Sequence, residues 1–211
     1  MGLAVLVLVG ATCVAWVVGG TFGALAALPL RGRWLVAAAV AAQLAADVAA
    51  WAGSRAGYEA GLAASAGCAL AFCVGNLRLA GLPLITLGLA ANALVVGLNG
   101  AMPVSTVAAA RADVSLRGVA AGTDPRHAVA GDGTSLRVLG DVIPVPLPWR
   151  PEVASPGDVM VSAGLAELVV VAMRGRWRRR RRGAGAGRPA PWAWPSGPAP
   201  YGGPVGSINR R

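Results

Sequence analysis

Lysine is absent from this chain, histidine occurs once, and only 13% of the 211 residues carry a charge. A single histidine, His127, without a Ser-His-Asp or His-x-x-Glu grouping around it, excludes the usual nucleophilic and zinc-hydrolytic constellations. The three cysteines, Cys13, Cys68 and Cys73, fall in apolar stretches, and the polar part of the chain has none, so neither a disulfide framework nor a metal knuckle is indicated. They read as small apolar fillers. All nineteen basic residues are arginine. In a chain so rich in Ala and Gly, this is a bias of coding composition, and no partner follows from it.

What the chain has in plenty is hydrophobicity: 55% of its residues are apolar, and the mean hydropathy is +0.60. A hydrocarbon core about 30 Å thick needs about twenty apolar residues in a helix rising ~1.5 Å per residue. Five segments approach this, near residues 3–19, 34–52, 56–75, 80–98 and 157–173, the last being the shortest. The expected class is therefore an all-α integral membrane protein with about five transmembrane helices. No arginine precedes Arg31, so the first segment lacks the basic start of a signal peptide and is expected to be retained. Residues 19–30, uncharged but broken by Gly and Pro, either extend that helix or lie along the interface.

The arginines set an expected orientation. Arg31, Arg33, Arg78 and the ten after Met173 fall on one side, and Arg55, Arg111, Arg117, Arg126, Arg137 and Arg150 on the other. Thirteen against six places the N-terminus outside and the C-terminus in the cytoplasm. Trp34, Trp51 and Trp177 stand at span ends, where amphipathic rings anchor. The third span carries Gly53, Gly57, Gly61, Ser65, Ala69 and Cys73 at four-residue spacing, a stripe that lets another helix come close.

Residues 99–156 are too polar and too broken to cross a bilayer and form an expected extracytoplasmic cap between the fourth and fifth spans. Asn99 and Gly100 suit left-handed backbone, and Pro103 stops the helix. Ser105 is a candidate cap for a short helix over 105–113, and the alternation in 135–143 predicts a short strand. Asp124, His127 and the "GDGTS" at 131–135 read as turn chemistry, the last lacking the further ligands of a calcium loop. Residues 139–159 contain five prolines in twenty-one residues. Pro144, Pro146 and Pro148 predict a stiff extended strut of ~3.1 Å per residue, leading to Ser155-Pro156-Gly157-Asp158, a helix start with cap, Pro and acid in their favoured places. A proline-rich ligand or groove wall is the functional alternative for that strut.

After Met173 come seven arginines in nine residues, Arg174, Arg176, Arg178, Arg179, Arg180, Arg181 and Arg182, then a Pro/Gly-rich tail with too little apolar surface to fold. This run stops translocation and favours anionic lipids on the inner leaflet. Nucleic acid is not expected as a partner. Within the spans the polar side chains are few: Gln43, Asp47, Asn92 and Glu167. Depths of roughly 14 Å for Gln43 and Glu167, and roughly 8 Å for Asp47 and Asn92, predict two polar rungs, Gln43 with Glu167 and Asp47 with Asn92.

The stretches "NLRLAGLPLITLGLAANALVVGLNGAMPVS" (76–105), "LGDVIPVPLP" (139–148) and "SPGDV" (155–159) resemble an uncharacterised family of small bacterial multi-pass membrane proteins, domain-of-unknown-function family 5317. The likeness runs from about residue 1 to 173. It is most specific over Asn92 to Pro103 and Gly140-Asp141 to Pro144, so the motif residues are Asn99, Gly100, Met102, Pro103, Gly140, Asp141, Pro144, Ser155 and Asp158. Ala101 departs from the glycine usual in such relatives. The resemblance implies a membrane location and a helix-loop-helix plan, and no activity. No cofactor, metal or catalytic motif is apparent. The reading is a structural or interaction component of the bacterial envelope, with an envelope protein or a second copy as partner. A small transporter using an intramembrane acid is the alternative. A membrane enzyme acting through Asp141, Asp158 and His127 on a lipid-linked substrate comes third.

Overall fold

The computed structural model describes residues 2–175; the expected anchor Trp177 and the basic residues Arg176 and Arg178–Arg182 lie outside them. Helix α1 covers Gly2–Val17, α2 Phe22–Ala26, α3 Arg33–Trp51, α4 Arg55–Gly75 and α5 Leu82–Asn99. The cap follows as β1 Met102–Val104, α6 Thr106–Ala112, α7 Arg117–Ala120, β2 His127–Val129, β3 Ile143–Val145 and β4 Glu152–Ala154, before α8 Pro156–Met173. The fold is mostly helical, with a few short strands: β1 pairs in parallel with β2, and β3 antiparallel with β4.

Four helices, α3, α4, α5 and α8, are long and apolar enough to cross a membrane, whereas α1 is apolar but has only 16 residues. Between α1 and α3 the chain neither extends α1 nor runs straight. Gly19 takes φ +84°, which only glycine adopts at little strain, and Thr21 then caps the separate short α2 by accepting the Ala24 N–H.

Two helix pairs make up the apolar layer. Helix α3 packs along α4, and α5 along α8; α1 lies on α8, and α4 joins the pairs through α5. The small-residue stripe of α4 packs inside the chain. A Cβ on Gly57 would stand 2.9 Å from the Ala49 Cβ, and one on Gly61 2.8 Å from that of Ala46. The α5–α8 contact is closer still, and it rests on a pattern that four-residue spacing does not reveal. Gly81, the N-cap of α5, and Gly88 within it face Gly164 and Gly157 on α8, each pair seven residues apart. A Cβ at Gly164 would come within 2.6 Å of the Gly81 carbonyl oxygen, and a Cβ at Gly88 would strike that of Gly157. Backbone meets backbone because nothing else fits between.

Two expectations for the cap are corrected. The segment 135–143 is not a strand: Leu136 sits at φ 51°, and Arg137–Leu139 form a 3-10 turn, so extended structure starts only at Ile143. Nor do residues 144–148 form a strut. Ile143, Pro144 and Val145 pair with Ala154, Val153 and Glu152, and the chain folds back through Leu147 N–H to Val145 C=O (2.9 Å) and Arg150 N–H to Leu147 C=O (3.2 Å). Prolines at 144, 146 and 148 fix φ without preventing pairing on the edge of a two-stranded hairpin. Ser105 does cap α6, accepting from the Ala108 N–H at 3.3 Å.

A substitution pair tests the glycine contact. Gly88→Ala should cost about 1–3 kcal/mol through overpacking. Gly97→Ala on the same helix, where an added Cβ meets nothing within 4 Å, should be neutral or slightly stabilising. Thermal unfolding of both variants in detergent micelles reads the difference.

Candidate functional site

Of the polar side chains in the spans, Asn92 and Asp47 bond to the cap and its junction with α8, whereas Glu167 is exposed. At the start of α8, Ser155 and Asp158 form a capping box: the Asp158 N–H donates to Ser155 Oγ (2.9 Å), and the Ser155 N–H to Asp158 Oδ2 (3.1 Å). Asn92 of α5 closes the group, donating from Nδ2 to Asp158 Oδ1 (2.8 Å) and accepting from Ser155 Oγ (2.9 Å). The absence of a Cβ on Gly157 is what admits the Asn92 side chain.

The two expected rungs do not form. Asn92 pairs with Ser155 and Asp158, not Asp47. Asp47 takes the guanidinium of Arg126 from the cap and a 3.5 Å bond from Gln43 Nε2; Arg126 also reaches the Tyr58 hydroxyl. Glu167 lies on the exposed side of α8, away from Gln43. Depth fixes the level of a side chain in the membrane but not its azimuth, and here α3 turns to α4 while α5 turns to α8.

A second cluster lies on the small sheet. His127 pairs with Met102 on one side of β1, and Asp141 bridges Val104 from elsewhere in the chain. Positions 102 and 104 are two apart and share a face of the strand, so the His127 and Asp141 side chains do too. Asp124 Oδ2 lies 2.8 Å from His127 Nδ1, and His127 Nε2 lies 3.7 Å from Asp141 Oδ2. Burial works against ionisation of Asp124, but the Arg126 N–H and the His127 ring outweigh it and hold the carboxyl below its ordinary value. Asp141 behaves oppositely. Its side chain is only 8% exposed, and burial pushes its pKa up to about 7; the pull of His127 is insufficient, and the charges of Asp158 and Glu152 add to the rise. Chemically this is a carboxylate-oriented imidazole facing a second carboxyl that exchanges its proton near neutrality.

The remaining motif residues hold the cap in place. Asn99 bonds the Ser135 backbone in both directions, at 2.9 and 3.0 Å, and Gly100 turns the chain at φ 75°. Met102 and Pro103 are buried, and Gly140 is pressed against Pro103, leaving 2.5 Å between a would-be Cβ and the Pro103 oxygen. Pro144 lies in β3, and Arg174 is exposed at the end of α8. Sequence reasoning did not single out three contacts. Glu152 accepts the Gly2 and Leu3 N–H groups, Arg126 spans cap and helices, and Asn76 exchanges bonds with the Arg31 backbone (both 2.9 Å) at the far end. Among the described residues no group of three or more His, Cys, Asp or Glu side chains is placed to hold a metal.

A family model described as a family of unknown function, DUF5317, matches residues 27–170, and the chain belongs to that family. No curated protein and no solved structure matches it.

Asp141 makes stability depend on pH. Its folded value, about 7, exceeds the ordinary 3.8, so between those limits the folded chain holds a proton that the unfolded chain has lost. The stabilisation is complete below the lower value and disappears as pH rises through the upper one, at about 1.4 kcal/mol per pH unit. Asp124, held below the ordinary value, keeps its full contribution across that window and loses it only as pH falls below the window. Melting in detergent should therefore drop between pH 5 and 7.5, and Asp141→Asn should flatten the profile. An unchanged slope in the variant would remove Asp141 as its source.

Proposed function

We propose that this is a multi-pass protein of the bacterial cell membrane, with its N-terminus outside and its Arg-rich tail in the cytoplasm, whose cap docks a protein partner in the envelope. One observation carries the reading. The cap is bolted to α1 through Glu152, to the α3/α4 pair through Arg126, and to α5 and α8 through Asn99, Asn92, Ser155 and Asp158. A segment held at so many points keeps its surface in one arrangement. That surface exposes apolar side chains: Val107 on α6, Val129 on β2, and Val138 on the 3-10 turn, with Val138 74% exposed. Fixed apolar groups facing water suit recognition of another surface. The arginine asymmetry supports the orientation, and the tail's charge supports contact with anionic lipid.

A photo-cross-linking residue at Val138 or Val107, introduced in cells, should give one discrete heavier species, while the same residue at Asp132 should not. Equal labelling from all three positions, or none, would count against docking. Reporter fusions after residues 32, 78 and 190 should read cytoplasmic and those after 54 and 125 external; a cytoplasmic signal at 125 reverses the orientation.

The Asp124–His127–Asp141 arrangement favours a second reading, proton transfer to a lipid-linked substrate at the outer face. If Asp141→Asn abolishes the cellular role while the cross-linked species persists, this reading displaces the first.

A further inference from the structure

The β3–β4 hairpin does more than return the chain to α8, because its tip is brought down along the flank of α1. Glu152 on β4 accepts the Gly2 N–H at 2.8 Å and the Leu3 N–H at 2.5 Å, satisfying backbone donors that the first turn of a helix leaves without partners. Leu147 Cδ1 packs over the same end, 3.1 Å from where a Cβ on Gly2 would be. Anchored there, the tip carries Trp149 and Arg150 out beside Val5, Leu6 and Val9, and the space between is a groove of about 420 Å³.

The polarity of this groove is ordered along the axis of α1. Its wall is the lipid-facing side of α1, the opposite side, with Ala11 and Ala15, being buried. From Gly2 to Val9 the wall runs roughly 10 Å along α1. The indole of Trp149, 66% exposed, stands at the boundary, where amphipathic rings are favoured. At the polar rim Arg150 has no ion pair or side-chain hydrogen bond among the described residues, while the nearby acid, Glu152, is engaged by α1. A guanidinium presents a planar fork matched to phosphate oxygens.

We propose that this groove binds one phospholipid of the cap-side leaflet, its phosphate on Arg150 and an acyl chain along Val5, Leu6 and Val9. The order of cation, aromatic boundary and apolar wall is the order of groups in a phospholipid. A peptide occupant would bring backbone polar groups against a wall that offers them no partner, which hydrocarbon penalises. The volume lies within the range of sites that enclose a small ligand. Because the contact is to phosphate, headgroups beyond it should matter little.

Native mass spectrometry of the full-length protein in mild detergent tests this with dioleoyl phosphatidylglycerol, dioleoyl phosphatidylethanolamine and dioleoylglycerol. One adduct of either phospholipid should persist under activation that strips the rest, and dioleoylglycerol, lacking phosphate, should give none. Arg150→Gln, at an exposed turn that no described side chain depends on, should lower retention about ten-fold, the value of one charge-assisted bond. Val9→Phe, filling the groove from α1, should lower it as well. Undiminished retention in Arg150→Gln, or equal retention of dioleoylglycerol, means annular lipid only and overturns the proposal. A cross-link from position 149 to protein rather than to lipid would overturn it too.

Discussion

The contact between α5 and α8 is the constraint on which the rest of the chain depends. In hydrocarbon, apolar side chains gain nothing by leaving lipid for each other, so helices associate only where they pack closely or share a polar bond. Here both conditions meet at one end. Gly81 and Gly88 against Gly164 and Gly157 bring the two backbones together, and that closeness carries Asn92 to Ser155 and Asp158. A larger residue at 157 would displace Asn92 and break the capping group, leaving an amide and a carboxylate to be satisfied some other way.

From this junction the cap takes its position. The last turn of α5 hands the chain to β1 through Asn99 and Gly100, and the first turn of α8 receives it from β4 through Ser155. With both ends fixed, the cap needs little core of its own; Met102, Val104, Ala108, Ala109 and Ala112 supply it. The cap in turn satisfies the membrane's polar groups. Arg126 neutralises Asp47 near the cap-side end of α3, where an uncompensated carboxylate would be costly, and Glu152 takes the open N–H groups of α1. Cap and spans thus exchange polar partners, and neither is complete alone.

Patterns carried by one element were legible in the sequence, and patterns shared between elements were not. The capping box of α8 could be read from "SPGDV" because cap, proline and acid act within one turn. The α4 stripe was visible as a four-residue repeat. The seven-residue glycine pairs of α5 and α8 were equally present, but each pair is only two residues, and its meaning appears when the helices lie side by side. The rung prediction failed for a related reason: composition and depth say that Asp47 and Asn92 need partners, not which neighbour turns toward them. Proline content misled in the hairpin, since a ring that fixes φ near −65° is as compatible with an edge strand as with an extended rod. His127 and Asp141 lie fourteen positions apart and meet only because β1 stands between their segments.

The distribution of polarity argues where function resides. At the far end of the bundle the bonds named involve backbone groups and no charged side chain: Asn76 with the Arg31 backbone, and the Thr21 N–H with the Met173 carbonyl. They fasten loops to helix ends. At the cap end a histidine is oriented by one acid and faces another that burial keeps protonated to near neutrality. Stability alone would be better served by an apolar residue at 141, since a buried carboxyl without a close donor gains little from being there. A group that costs the fold something and has partly exposed neighbours, His127 and Asp124, is best explained by what it does when its proton leaves. Losing that proton puts a negative charge beside Asp158 and Glu152, the two acids that hold α8 and α1, so proton loss at the sheet is felt directly at the contacts that seat the cap.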